Sequence, residues 1–243
     1  MERIKKLFDT KYKKIWLALL FVCLIAAPFV TTNLQKRILT TIFVYCLLSM
    51  GNMLISGHAG MLNMGQAAFY GVGAYVAAVL QLNYGMSFFL CFILAGIGAG
   101  LCGFLCSIPC LRLETDFLSL ITTAFSYIFL AVARNWMSVT RGPMGLTAIP
   151  PIKLFGYTFK SATSNYFLML VVTVLFYILM NNIVNSKVDR AIQATRDDSI
   201  GARSVGVKTD MYKILAFVIG TTLAGFAGAL YASYIGCISP NNF

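Results

Sequence analysis

The stretch ILTTIFVYCL LSMGNMLISG HAGMLNMGQA AFYGVGAYVA AVLQLNYGMS FFLCFILAGI GAGLCGFLCS IPCL, residues 38–111, runs for 74 residues without an Asp, Glu, Lys or Arg. A water-facing chain carries about 25% charged residues, so these residues are solvated by hydrocarbon and by one another. The bilayer core is about 30 Å thick and takes roughly 20 apolar helical residues to cross. By that ruler the stretch holds three spans, at 38–55, 66–82 and 86–108.

Working outward, further apolar runs at 15–32, 117–133, 166–184 and 214–236 bring the expectation to about seven transmembrane helices in an all-α, polytopic membrane bundle. The composition agrees, with 59% hydrophobic and 11% charged residues and a net charge of +11. The lysines and arginines are unevenly shared between the two sides. The basic arm at 1–14, Arg112 and the loop at 187–213 carry thirteen, against six at Lys36, Arg37, Arg134, Arg141, Lys153 and Lys160. The positive-inside rule therefore expects a cytoplasmic N-terminus, an extracytoplasmic loop at 134–165 and a cytoplasmic loop at 185–213. This distribution beside apolar segments points to lipid rather than nucleic acid.

One histidine, eight acidic residues and no phosphate-binding G-x-x-x-x-G-K-[ST] loop leave no material for a hydrolytic or nucleotide-binding centre in this chain. The seven cysteines fall mainly in apolar runs. Cys102, Cys106 and Cys110 share a helix face, but no His or carboxylate joins them, so no metal site is expected.

Two segments break the pattern of plain spans. Residues 56–73 place Gly57, His58, Gly60, Asn63 and Gln66 in a charge-free surrounding, where irregular backbone is tolerated only if it is buried in protein or lines a cavity. They are candidates for a translocation path, while a tight turn with small-residue packing explains the glycines equally well. In the loop at 185–213, Ser186 with Asp189 resembles a helix-start box. Val188, Ala191, Ile192 and Thr195 recur on one face, with Lys187, Arg190 and Arg196 opposite. Asp197 and Asp198 suit the start of a second short helix, Gly206 its end, and Thr209 or Asp210 the cap of the last span. A basic loop lying on the membrane is the alternative.

The last span carries small-residue stripes. Gly220, Ala224 and Gly228 form one, Gly225 belongs to the other, and such faces serve close helix packing. In the outer loop, Arg141-Gly-Pro-Met-Gly145 and Pro150-Pro151 form turns. Arg134, Arg141, Lys153 and Lys160 are either a solvated surface or electrostatic handles for a protein partner.

The runs 186–207 (SKVDRAIQATRDDSIGARSVGV), 212–217 (YKILAF) and 224–231 (AGFAGALY) resemble the permeases of branched-chain amino-acid ABC importers. So do 57–75 (GHAGMLNMGQAAFYGVGAY) and 140–150 (TRGPMGLTAIP). The resemblance implies that Arg190, Ala191, Arg196, Asp197, Asp198, Ala202 and Gly206 form a surface docking into an ATPase. Ile200-Gly201-Ala202 stands where the general signature has Glu-Ala-Ala. It also implies two ABC ATPase subunits carrying ATP and magnesium, a second homologous permease and an extracytoplasmic substrate-binding protein. Localisation to the bacterial cytoplasmic membrane and alternating access are further implications, and family members continue through further spans after Ser239-Pro240. A permease for a sugar or an amide would keep the loop. A secondary transporter would carry intramembrane charges, and no expected span contains one.

Overall fold

The computed structural model describes residues 24–29, 31–110, 115–154, 157–159 and 161–243. The long helices are α1 (Asn33–Asn52), α2 (Gln66–Tyr84), α3 (Phe88–Cys110), α4 (Thr115–Asn135), α6 (Ala162–Val184) and α9 (Thr209–Ile235). Short ones are α5 (Met137–Thr140), α7 (Lys187–Asp197) and α8 (Ser199–Ser204), and a two-residue hairpin pairs β1 (Lys153–Leu154) with β2 (Tyr157–Thr158). Residues 24–29 are helical too. The rest of the expected first span, the basic arm at 1–14, Arg112 and Lys160 lie outside the described residues.

Among the described residues five helices are long and apolar enough to cross a membrane: Asn33–His58, Phe88–Pro109, Phe117–Asn135, Ala162–Val184 and Thr209–Ile235. The first of these is α1 prolonged by a π-helical turn at Met53–His58. The expected span at 66–82 is the helix α2, 19 residues long but made less apolar by its glutamines, tyrosines and glycines. It is shielded instead, with Gln66, Gln81, Tyr70 and Tyr75 buried against its neighbours and Tyr84 exposed at its end.

The centre of the bundle is α9. In its most apolar window 61% of the residues are buried, against 17% for α4. Its small residues let three helices approach to backbone contact. A Cβ on Gly73 of α2 would strike the Gly225 backbone, and one on Gly228 would strike the Tyr70 carbonyl. On the opposite side α3 is notched by Gly96, Gly100 and Gly103, which receive Phe226, Thr222 and Thr221. Gly51 of α1 faces Gly220, with a Cβ on it reaching 2.5 Å from the Gly220 carbonyl. The neighbours of Gly220, Gly225 and Gly228 therefore lie within this chain, and Ala224 is fully buried among them.

These contacts also give the helix directions. Gln66 and Gln81 of α2 meet Gly220 and Ser233, so α2 runs parallel to α9. The order of the α3 glycines against α9 is reversed, and Arg37 pairs with Tyr234 while Gly51 pairs with Gly220, so α3 and α1 run antiparallel to it. Thr122 and Phe129 of α4 lie on Gly65 and Gly71, and Thr163 and Thr173 of α6 meet Lys36 and Phe43. Successive long helices thus alternate in direction. Residues 53–65 and 185–208 share one end, while 136–154 and 236–243 share the other.

At this second end the loop is paired rather than merely turned. Leu146 and Ile238 exchange backbone hydrogen bonds of 2.9 Å, and Ile149 N–H donates to Gly236 O at 3.0 Å. Gly236 closes α9 in the left-handed region (φ +79°), turning the chain back so that Phe243 packs on Tyr70 and Tyr75.

Inserting a bulky side chain where backbones touch forces helices apart, at a cost of at least about 1–3 kcal/mol. Gly228→Leu and Gly73→Leu should therefore abolish accumulation of folded protein in membranes. Gly98→Ala, whose Cβ would meet only Val76 at an ordinary 3.5 Å, should leave the level and the melting temperature in detergent unchanged. Equal accumulation of all three would remove close packing as the basis of the bundle.

Candidate functional site at the junction of residues 53–66 with α7 and α8

Residues 53–66 leave α1 through the π turn, whose widened ladder is marked by Ala59 N–H donating to Leu54 O at 3.0 Å. Such turns expose backbone carbonyls that an α-helix would use. Gly60 then takes φ +66°, a conformation that a side chain resists, and the chain runs without regular structure to the start of α2.

The segment divides into two sets of contacts. Asn63 and Gln66 turn into the bundle and are both buried. Asn63 Nδ2 donates to Gln66 Oε1 at 2.6 Å, Gln66 Nε2 donates to Gly220 O at 3.2 Å, and Asn63 Oδ1 accepts from Gly65 N–H at 3.0 Å. Met64 N–H donates to Thr122 Oγ1 at 3.2 Å. Gly57, His58 and Gly60 turn the other way, to α7. His58 Nδ1 lies 2.8 Å from Asp189 Oδ1, an ion pair when the ring is protonated. Arg196 Nη1 donates to Gly57 O at 2.7 Å, and its aliphatic stem lies against Gly60. The five residues grouped from sequence as one path thus serve two different neighbours.

Helix α7 is amphipathic, with Asp189, Ile192 and Thr195 buried. Ser186 caps it by accepting from Val188 N–H at 3.1 Å. The expected reciprocal half of the box is missing, because Asp189 is spent elsewhere. Its Oδ2 accepts from Gln193 Nε2 at 2.6 Å, while Oδ1 receives no aligned hydrogen bond and faces His58. A fully buried carboxylate is tolerated only when paired. Asp198 caps α8 by accepting from Ile200 and Gly201 N–H, both at 3.0 Å. The expected caps of α9 do not form. Thr209 and Asp210 instead accept from Arg203 at 2.7 and 2.6 Å, tying the end of α8 to the start of α9.

Of the expected docking residues, Arg190, Asp197, Asp198 and Gly206 are exposed and Ala191 is half-buried. Arg196 is exposed but engaged with Gly57. Ala202 is buried. Ile200 and Val205, not among the expected docking residues, stand 81% and 79% exposed among these charges. Large apolar residues in a charged loop, off the buried stripe, were the signal for them.

A family model described as "Branched-chain amino acid transport system / permease component" matches residues 35–243. The chain belongs to this family. Its relatives include the high-affinity branched-chain amino acid transport system permease proteins LivM of Salmonella typhimurium and of Escherichia coli K12. They are 35% and 34% identical over 97% of this chain, which spans 61% of their length. The LivH protein of Salmonella typhimurium is 28% identical over 81% of the chain and 68% of its own length. No solved structure matches. In this permease-family chain the quoted motifs at 57–75 and 186–207 meet at the junction described above, with Gly57 and Arg196 139 residues apart in sequence.

Removing an N-cap carboxylate costs about 1 kcal/mol. Asp198→Ala should fray α8, seen as faster hydrogen exchange at the Ile200 and Gly201 amides with α9 unaffected. Unchanged exchange at those amides would show that the cap is idle.

Proposed function

We propose that this chain is a membrane-spanning permease subunit of an ATP-driven importer, carrying branched-chain amino acids across the bacterial inner membrane by alternating access. The names of its relatives support the solute class. The observation that carries the mechanism is α7 and α8 folded onto one end of the bundle, presenting Ile200, Val205, Arg190, Asp197 and Asp198 to solvent.

A compact, capped pair of helices transmits a rigid-body displacement, which a slack loop cannot. In this reading two ATPase subunits hold ATP and magnesium and dock on that face. A second homologous permease completes the membrane portion, and a substrate-binding protein delivers solute at the opposite end, where 141–149 and 236–243 are paired. In this reading the N-terminus is cytoplasmic, as the positive-inside count expects. Asn63 and Gln66 supply neutral hydrogen-bonding groups amid apolar walls, which suits a zwitterion with an aliphatic side chain better than a charged solute.

The test is co-expression with the ATPase subunits, followed by purification and uptake measurements in vesicles. ATP-dependent uptake of leucine, isoleucine or valine is expected, with ribose excluded. The pair Ile200→Asp and Val205→Asp should lower ATPase co-purification at least tenfold while the bundle stays folded. Uptake without ATP, or retention of the ATPases by the double variant, would overturn this assignment.

A further inference from the structure

We infer that His58, Asp189, Arg196 and the Gly57 carbonyl form a clasp that passes movement of α7 to the 59–66 segment and from there, through Gln66, to α9. This deepens the function proposed above and rests on it. His58 and Arg196 are positioning residues: they act on the path through the backbone and touch no solute.

Three observations converge on it. First, the contacts between α7 and the membrane segment are polar and directional. The His58–Asp189 contact at 2.8 Å and the Arg196–Gly57 bond at 2.7 Å join residues 131 and 139 positions apart in sequence. Second, the pair is dry. The Asp189 side chain is 1% exposed and that of His58 14%, so separating them strands a buried carboxylate. Movement of α7 is therefore resisted at this point and carried onward rather than absorbed by sliding.

Third, the segment so gripped is stiff at one end and engaged at the other. Gly60 is held in the left-handed region against the Arg196 stem, where a Cβ would lie 2.7 Å from Cγ. Five residues later Gly65 abuts α4, with its amide on Asn63, and Gln66 is bonded to Gly220. Gly220 is eleven residues into α9, about 16 Å along the helix axis at 1.5 Å per residue. The clasp thus connects the solvent-facing end of the bundle to its middle through one short stretch of chain. At Gly51 and Gly220 that stretch meets the crossing of α1 and α9.

The experiment uses the complete transporter with its ATPases and binding protein in vesicles, and reads leucine transported per ATP hydrolysed, together with the amount of assembled complex. His58→Ala alone leaves Asp189 uncompensated and should lower assembly. The double variant His58→Ala/Asp189→Ala removes the buried charge as well and should restore assembly. If the pair only stabilised the fold, the double variant would also restore the transport-to-hydrolysis ratio.

The clasp predicts instead that the ratio stays at least fivefold below wild type in the double variant. Gly60→Ala, which sets a Cβ against the Arg196 stem and strains the left-handed turn that the stem covers, should lower the ratio in the same direction. A wild-type ratio in the double variant or in Gly60→Ala overturns the clasp while leaving the importer assignment intact. Absence of ATP-dependent leucine uptake in the wild-type complex instead overturns that assignment.

Discussion

Everything in this bundle depends on α9 lacking side-chain bulk along the faces it turns to α2, α3 and α1. Between helices in hydrocarbon there is no gain from removing apolar surface from water, so association rests on van der Waals contact over closely approached backbones. The contacts at Gly73–Gly225, Gly228–Tyr70 and Gly51–Gly220 provide that approach, and the notches at Gly96, Gly100 and Gly103 seat Phe226, Thr222 and Thr221. The interhelical amide bonds of Gln66 and Gln81 are secondary. Such bonds average about 0.6 kcal/mol in membranes, less than the cost of one misplaced methyl group at a backbone crossing.

A helix packed this tightly cannot yield by small continuous deformations. When it moves, it moves as a body, and the elements bonded to its ends move with it. Arg203 ties α8 to the start of α9 through Thr209 and Asp210, and Gln66 ties the 53–66 segment to α9 near its middle. At the far end the chain returns from Gly236 to pair with Leu146 and Ile149. The same helix is therefore attached to α8 and the 53–66 segment at one end of the bundle and to the paired loops at the other.

The parts legible from sequence were those governed by one-dimensional rules. The charge-free stretch and the length ruler located α1, α3, α4, α6 and α9 to within a few residues, since apolarity over about 20 residues is a local property. The span at 66–82 emerged as the helix α2, yet its place was not readable. Its glutamines and glycines mark burial inside the bundle rather than exposure to lipid, and that distinction depends on which neighbours surround it. The small residues of α9 announced close packing without naming a partner, because any smooth face is compatible with several.

Polar residues were the hardest to place for the same reason. Asp189 at the third position of α7 looked like half of a capping box, and Thr209 and Asp210 looked like the caps of α9, because local sequence offers each a local partner. Other partners took them, His58 from another segment for Asp189 and Arg203 from the end of α8 for Thr209 and Asp210. A carboxylate on the buried face of α7 needs a polar partner within the interface, and His58 Nδ1 lies 2.8 Å from it, while the Arg203 guanidinium gives Thr209 and Asp210 one charge-assisted bond each. His58 therefore belongs with α7 rather than with Asn63 and Gln66, although five residues separate it from Asn63. Residues 57–66 are best understood as a connector with two ends, one set by the surface helices and one by the bundle interior, and its glycines are what let a single short segment satisfy both.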